Sequence, residues 1–443
     1  MAGDARTTGG GPRAVLGRRE FLAAAAKTAA ALPFWFSGGG CASLKGGEPD
    51  PDTGLCFRCL AGDVTSNSAI VWLRAEPGSR VSVRYAPGPA PERFEETAPR
   101  AVARDCDDTA KIKLEGLAPG TTYYYRARVA GKRPGPVGRF RTAPAPDDLA
   151  PVRFCFSGDS RESYQPFAIM DAIRETSPDF FLYLGDTIYA DIGAVASTLQ
   201  EFWAKYRNNR QDAPSQRLFR EVATYVIWDD HEVANDCDPS HPLMPVGRKA
   251  FIDYWPIEPD PLDPHRLYRS FRWGKALELF ILDVRQYRDR SRRTILGEAQ
   301  KRWLLKGLEA STALFKFVAT SVPFYGGGRD RWDGFPEERN ELLRWIAGRK
   351  IQGVFFLAAD LHYAAVSRIP GAPRAVKQII AGPIASPINV LATGLGRRFE
   401  FFSNATFNYA TVTVDPKIRP PQATVEFFDE ERRSLYRTAL TIA

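Results

Sequence analysis

Short runs of unbroken hydrophobicity, each closed by a polar cluster, recur through the second half of this chain. Phe180-Phe181-Leu182-Tyr183-Leu184 runs into Gly185-Asp186, and residues 152–157 run into Gly158-Asp159. Residues 225–228 lead to Asp229-Asp230-His231-Glu232, and residues 277–282 to Asp283-Val284-Arg285-Gln286. Residues 315–319 lead to Thr320-Ser321, and residues 353–357 to Asp360-Leu361-His362. Apolar runs of about five residues, bounded by turns, suit strands buried on both faces of a parallel sheet. Helical spacing falls between them: residues 164–177, with Phe167, Met170 and Ile173 on one face, then 202–222, 298–308 and 338–348. This alternation predicts an α/β body, in which ligands gather at the C-terminal ends of the strands. Further on, residues 377–381 predict a strand, and 409–414 with 423–428 a β pair.

The pattern before residue 152 differs. Alternating runs at 69–73, 80–85, 110–114, 122–129 and 138–141 are separated by turns such as Pro77-Gly78 and Pro119-Gly120, which predicts a small all-β sandwich. Within it, Leu117-Ala118-Pro119-Gly120-Thr121-Thr122-Tyr123-Tyr124-Tyr125 resembles the strand corner of fibronectin type III domains. Ala143-Pro144-Ala145-Pro146 reads as a stiff linker. The expected organisation is a leader at 1–42, a linker at 43–54, the sandwich at 55–143, a linker at 144–151 and the body at 152–443.

Composition adds three constraints. The 443 residues are 44% hydrophobic and 25% charged, ordinary for a globular protein with room for several domains. The net charge is +8, of which +3 falls in residues 1–42, and no long basic run follows, so specific nucleic-acid binding is not indicated. An electropositive cleft for an anionic substrate remains compatible with that balance. Gly17-Arg18-Arg19-Glu20-Phe21-Leu22 and the Ala-rich stretch after it resemble a twin-arginine export signal, which implies export of a folded protein to the periplasm or beyond. Cleavage would follow Ala42, or Cys41 would carry a lipid anchor. Pro33 and Gly38-Gly39-Gly40 argue against a membrane-spanning helix. Six cysteines are present; Cys56 or Cys59 with Cys106 is the expected disulfide of an exported chain, and Cys155 is expected in the core.

Asp186 and Tyr189 aim a carboxylate and a phenol at one spot, a donor set for a hard, highly charged cation. The chain has only four His, so a metal site must rely mainly on carboxylates. Five strand ends that carry such residues in one domain predict a shared metal site.

Gly158-Asp159-Ser160, Gly185-Asp186-Thr187-Ile188-Tyr189-Ala190-Asp191 and Asp230-His231-Glu232 together resemble the calcineurin-like metallophosphoesterase superfamily. Trp228-Asp229-Asp230-His231-Glu232, Asp283-Val284-Arg285-Gln286-Tyr287-Arg288 and Asp360-Leu361-His362 resemble its PhoD-like alkaline phosphatase branch. The resemblance spans residues 152–443. It implies a sandwich of two mixed sheets flanked by helices, with 409–414 and 423–428 completing the second sheet. It implies a first metal held by Asp159, Asp186, Tyr189 and His362, as in purple acid phosphatases, which suits ferric iron. It implies a second metal held by Asp186, Asp230 and Asp360, an oxygen-rich set that suits calcium, with manganese, magnesium or zinc as alternatives. Ser321 stands where the superfamily has a further His, so water would fill that position.

The implied chemistry is hydrolysis of phosphomonoesters, phosphodiesters or both. Two cations about 3.5–4 Å apart would activate water and neutralise developing charge. His231 would contact the phosphate or protonate the leaving oxygen, and Arg161 would pair bidentately with the phosphate. Arg285 is a further substrate-binding candidate. Asp191, Glu232 and Asn235 are expected to support these groups rather than to ligate, and His241 and His265 to have no catalytic part. A second reading is a catalytically silent relative, acting as a binding protein outside the cytoplasm; the lost ligand at Ser321 motivates it.

Overall fold

The computed structural model describes residues 49–443 apart from 89–92, 374 and 443. The expected leader, with Arg18, Arg19, Cys41 and Ala42, lies outside the described residues. Among those described, no helix is long and apolar enough to cross a membrane. The described residues form one compact unit.

Phe180–Leu184 is buried along its whole length. It lies between Val152–Ser157 and Ala223–Ile227, parallel to both. The predicted apolar runs therefore form the centre of a nine-stranded sheet. A second sheet of seven strands is built around Leu277–Ile281, Phe315–Ala319 and Val354–Ala358, again mutually parallel. The sheets meet through aromatic rings. Phe154 stacks on Phe180 at 4.8 Å and meets Phe317 edge-on at 5.3 Å, and Trp273 packs on Phe180 at 4.8 Å. Such offset and edge contacts add to the area that each ring buries.

Helices cover the outer faces. Gly297–Ala310 and Pro336–Gly348 bury Leu304, Leu308, Leu342 and Ile346 against Phe280, Val318 and Phe356 of the second sheet. Ala168–Glu175, Leu199–Arg210, Ala213–Glu221 and Met244–Tyr254 share the core of the first sheet. The expected helix over 202–222 is two helices. Asp212 breaks it, accepting the Ser215 amide at 2.9 Å as an N-cap, with Pro214 in the new first turn.

Two further expectations change. Tyr409–Val414 and Gln422–Phe428 extend the first sheet, because Tyr409–Val414 pairs antiparallel with Val152–Ser157. The segment at 55–143 is two-layered, but its layers are not separate from the body. Arg80–Pro87, Thr122–Val129 and Gly138–Arg141 belong to a five-stranded sheet. Leu60–Gly62, Ser68–Arg74 and Thr109–Glu115 continue the nine-stranded sheet, joined where Leu60–Gly62 runs parallel to Ala223–Ile227. Trp72, fully buried, donates its indole N–H to the Asp253 carbonyl at 2.8 Å, and Asp63 pairs with Arg269 at 2.9 Å. Cys56, Cys59 and Cys106 are all free thiols, so the expected disulfide is absent; Cys155 is buried, as expected.

Candidate metal centre

The centre sits at the C-terminal ends of the central strands. The turns after Val152–Ser157 and Phe180–Leu184 are tied together, the Asp159 amide donating to the Gly185 carbonyl at 3.2 Å and the Ser160 amide to the Asp186 carbonyl at 2.9 Å. Gly185 has φ +84°, and a Cβ there would meet the Asp229 Cβ at 2.6 Å, so only glycine lets this turn approach the one that carries Asp229. Asp159, Asp186, Asp360 and His362 all have φ between +51° and +67°. Non-glycine residues adopt this conformation at a cost, and it clusters at functional sites.

One ligand atom from each of Asp159, Asp186 and His362 lies within 4.8 Å of the other two. The same holds for Asp186, Asp230 and His231. Asp186 is common to both groups, the arrangement a bridging carboxylate requires. His362 Nδ1 lies 2.6 Å from the Pro387 carbonyl and donates to it, which leaves the Nε2 lone pair facing inward, 3.9 Å from Asp159 Oδ1. The Tyr189 hydroxyl lies 3.3 Å from the same Nε2 and 2.9 Å from Ser386 Oγ. His231 Nδ1 lies 2.7 Å from Asp191 Oδ1, so its Nε2 is the nitrogen left for chemistry.

These residues fit a cation. Asp159 Oδ2 and Asp186 Oδ1 are buried without a hydrogen-bond partner. Burial, and then the neighbouring carboxylates, push both carboxyls well above their usual range. Burial, with Asp186 second, likewise holds the Tyr189 phenol protonated. A bound cation inverts each of these effects by supplying the missing partner and charge. Asp230 differs. Burial works against its charge, but Arg285 and His231 outweigh it and bring the carboxyl down to about 2. Burial also disfavours charge on His231, yet Asp191 and Asp230 raise its pKa above the ordinary value.

Several expected assignments shift. Asp360 is not in either ligand group among the described residues. Both its oxygens are taken by the guanidinium fork of Arg331, at 2.6 and 2.8 Å, while its backbone N–H donates to Asp159 Oδ1 at 3.2 Å. Arg285 is not available to substrate. It is fully buried, paired with Asp229 at 2.6 Å, Asp330 at 2.7 Å and Asp230 at 3.4 Å, and so acts as a fixed internal charge. Ser321 faces Asp229, donating to its Oδ1 at 2.8 Å. Arg161 is half-buried beside Asp159, and no hydrogen bond or ion pair holds its side chain among the described residues. Glu232 supports the ligand turns. Its carboxylate accepts from the amides of Asp186, Thr187 and Asp229 and from the Thr187 hydroxyl. The Asn235 backbone N–H donates to Asp191 Oδ2 at 2.8 Å. His241 and His265 lie in neither ligand group.

Arg331 escaped the sequence reading altogether. It follows Gly326-Gly327-Gly328-Arg329-Asp330, a loop with no hydrophobic periodicity and no motif. Its only sequence signal was a glycine-rich, charged stretch just after a strand end.

Two mixed sheets flanked by helices are also the fold of a purple acid phosphatase. The solved purple acid phosphatase PPD1 from yellow lupin seeds superposes with a TM-score of 0.63, covering 87% of this chain and 74% of that one at 14% identity. Residues 154–441 match the model of the PhoD-like phosphatase family, and residues 57–144 that of its N-terminal domain; the chain belongs to the PhoD-like phosphatases. A solved structure of PhoD covers 88% of this chain and 94% of that one, at 20% identity and a TM-score of 0.77, which shows the shared fold. In sequence, the chain is 25% identical over 378 residues to alkaline phosphatase D of Bacillus subtilis (strain 168), spanning 70% of this chain and 64% of that protein. It is 23% identical over 259 residues to purple acid phosphatase 21 of Arabidopsis thaliana, spanning 57% of this chain and 51% of that one.

Proposed function

We propose that this protein is an exported phosphohydrolase with two metals, cleaving phosphomonoesters, phosphodiesters or both. The observation that carries the reading is the pair of partnerless buried oxygens, Asp159 Oδ2 and Asp186 Oδ1, beside the inward-facing Nε2 of His362. The first cation would be held by Asp159, Asp186, Tyr189 and His362, and ferric iron suits a set that includes a phenolate. The second would be held by Asp186 and Asp230, an oxygen pair that favours calcium over zinc. When bound, such cations lower the pKa of a water nucleophile and offset charge on the phosphoryl group. Asp191 fixes the His231 ring through Nδ1, so Nε2 faces the leaving oxygen and passes it a proton. Arg161, unclaimed by any acid, is free to meet a phosphate oxygen. Residues 1–42 act in this reading as a twin-arginine leader, with Cys41 the site of a lipid if one is attached, and residues 55–143 as a fibronectin-like sandwich. The silent-relative reading has no use for the Asp191–His231 pair.

The test begins with metal analysis and a visible spectrum of the full chain purified without chelator. Iron with calcium is expected, together with a violet charge-transfer band that Tyr189→Phe abolishes. Chelation is expected to stop phosphate release from an aryl phosphate. A protein that binds no metal and releases no phosphate with any divalent or ferric ion would sink the reading.

A further inference from the structure

We infer that Arg331 is a second arginine, beside Arg161, that receives the phosphate of the substrate, an inference that rests on the phosphohydrolase reading. The centre is crowded with acids, and an incoming phosphate is itself an anion. A fixed positive charge on the side from which substrate arrives adds to what bound cations supply and steers the anion in. Arg285 supplies none there, because its side chain is wholly buried among Asp229, Asp230 and Asp330. Four polar side chains of the centre keep partial access, Arg331 at 21%, His362 at 19%, Asp191 at 16% and His231 at 14%, while Asp159 and Asp230 beneath them are at 1% and 4%; of the four, Arg331 carries the permanent positive charge.

Arg331 is also held in place. Asp330, just before it, pairs with Arg285 and Arg288, each at 2.7 Å. Trp332, just after it, is fully buried and donates its indole N–H to Thr320 Oγ1 at 3.0 Å. Asp333 closes the loop by accepting the amides of Gly326 and Gly328 at 3.0 and 3.2 Å. Two buried neighbours thus pin the backbone and leave Arg331 between them to project toward the centre. Its Nε and Nη2 grip Asp360, and Asp360 in turn donates its amide to Asp159. The Nη1 group has no protein acceptor among the described residues. A guanidinium orients a second anion along its free edge while the first is held, which a lysine ammonium does far less well. Pairing with Arg331 also offsets the Asp360 charge, so this wall of the site does not repel phosphate.

The experiment uses the full chain loaded with its metals. Orthophosphate binding is measured by calorimetry, and metal content in parallel, for wild type, Arg331→Gln, Arg331→Lys and Asp360→Asn. For Arg331→Gln, undiminished metal content with orthophosphate binding weakened about 10–100-fold is expected, the size of a lost charge-assisted contact. Arg331→Lys is expected to recover part of the loss, and added guanidinium ion to restore binding to Arg331→Gln. The KM for an aryl phosphate should rise with orthophosphate weakening, while kcat changes less. Wild-type-like orthophosphate affinity in Arg331→Gln overturns the inference. So does loss of metal in both Arg331→Gln and Arg331→Lys, which would make Arg331 a support for the centre. If wild type itself neither binds orthophosphate nor cleaves esters, the phosphohydrolase reading falls and takes this inference with it.

Discussion

His231 has one ring nitrogen committed to Asp191 at 2.7 Å, so a single nitrogen remains for either a cation or a proton. It also lies in a ligand group with Asp186 and Asp230, so the two roles compete for one atom. With His231 as the acid, His231→Ala keeps both metals and loses about 10²–10⁴ in rate, least for esters with good leaving groups. Metal content measured beside a leaving-group series checks this; coincident loss of metal would make His231 a ligand. The same side chain illustrates how far single residues can be read from sequence. Asp159, Asp186, Tyr189, Asp230, His231 and His362 were all legible, because each follows an apolar run by a few residues. Arg285 followed the same rule and came out buried. Sequence position tells that a residue is near a strand end, but not whether it points into the cleft or beneath it.

At the scale of elements, the ligand turns are joined by groups that do not ligate. Glu232 is fully buried and collects donors from two turns, those carrying Asp186 and Asp229. Glu232→Gln would turn an N–H₂ toward those donors and is expected to cost about 2–4 kcal/mol of stability, with weaker metal retention. Urea unfolding with metal analysis checks it; an unchanged midpoint would mean that the turns hold without this staple. Gly382 is a second such element. Its φ is +147°, and a Cβ there would meet Asp159 Oδ2 at 2.6 Å. Gly382→Ala is expected to displace Asp159 and deplete the first metal while leaving the fold intact by circular dichroism. The central strands were legible because buried parallel strands are continuous apolar runs. Met244–Tyr254 and Arg269–Trp273 were not, since the helix carries Pro245 in its first turn and the strand alternates Arg-Ser-Phe-Arg-Trp with little contrast.

The whole molecule raises the question of whether the first 150 residues are detachable. The composition shift near residue 144 suggests a linker, yet the nine-stranded sheet continues through Leu60–Gly62, Ser68–Arg74 and Thr109–Glu115. Arg210 lies with its guanidinium 5.1 Å from the Trp72 ring, and Arg207 pairs with Asp107 at 2.7 Å. A chain starting at residue 151 would bare the edge of Ala223–Ile227 and the partners of Trp72. It is expected to aggregate, because an exposed hydrophobic edge strand invites pairing with other chains. A soluble, monomeric, metal-loaded fragment on size exclusion would show instead that the sandwich is an appendage.

Hydrophobic periodicity by itself determined the α/β body, the order of its central strands along the chain and the residue types gathered at their ends. These depend on local rules: burial of both strand faces, glycine at sharp turns, oxygen donors for hard cations. Only the tertiary structure decided that Tyr409–Val414 joins the first sheet, that Asp360 pairs with Arg331, and that Arg285 is sealed among Asp229, Asp230 and Asp330. Each depends on which loops, distant in sequence, meet in space. An apolar run does not encode which other run lies beside it, and a carboxylate takes whichever cation the surrounding fold brings within reach.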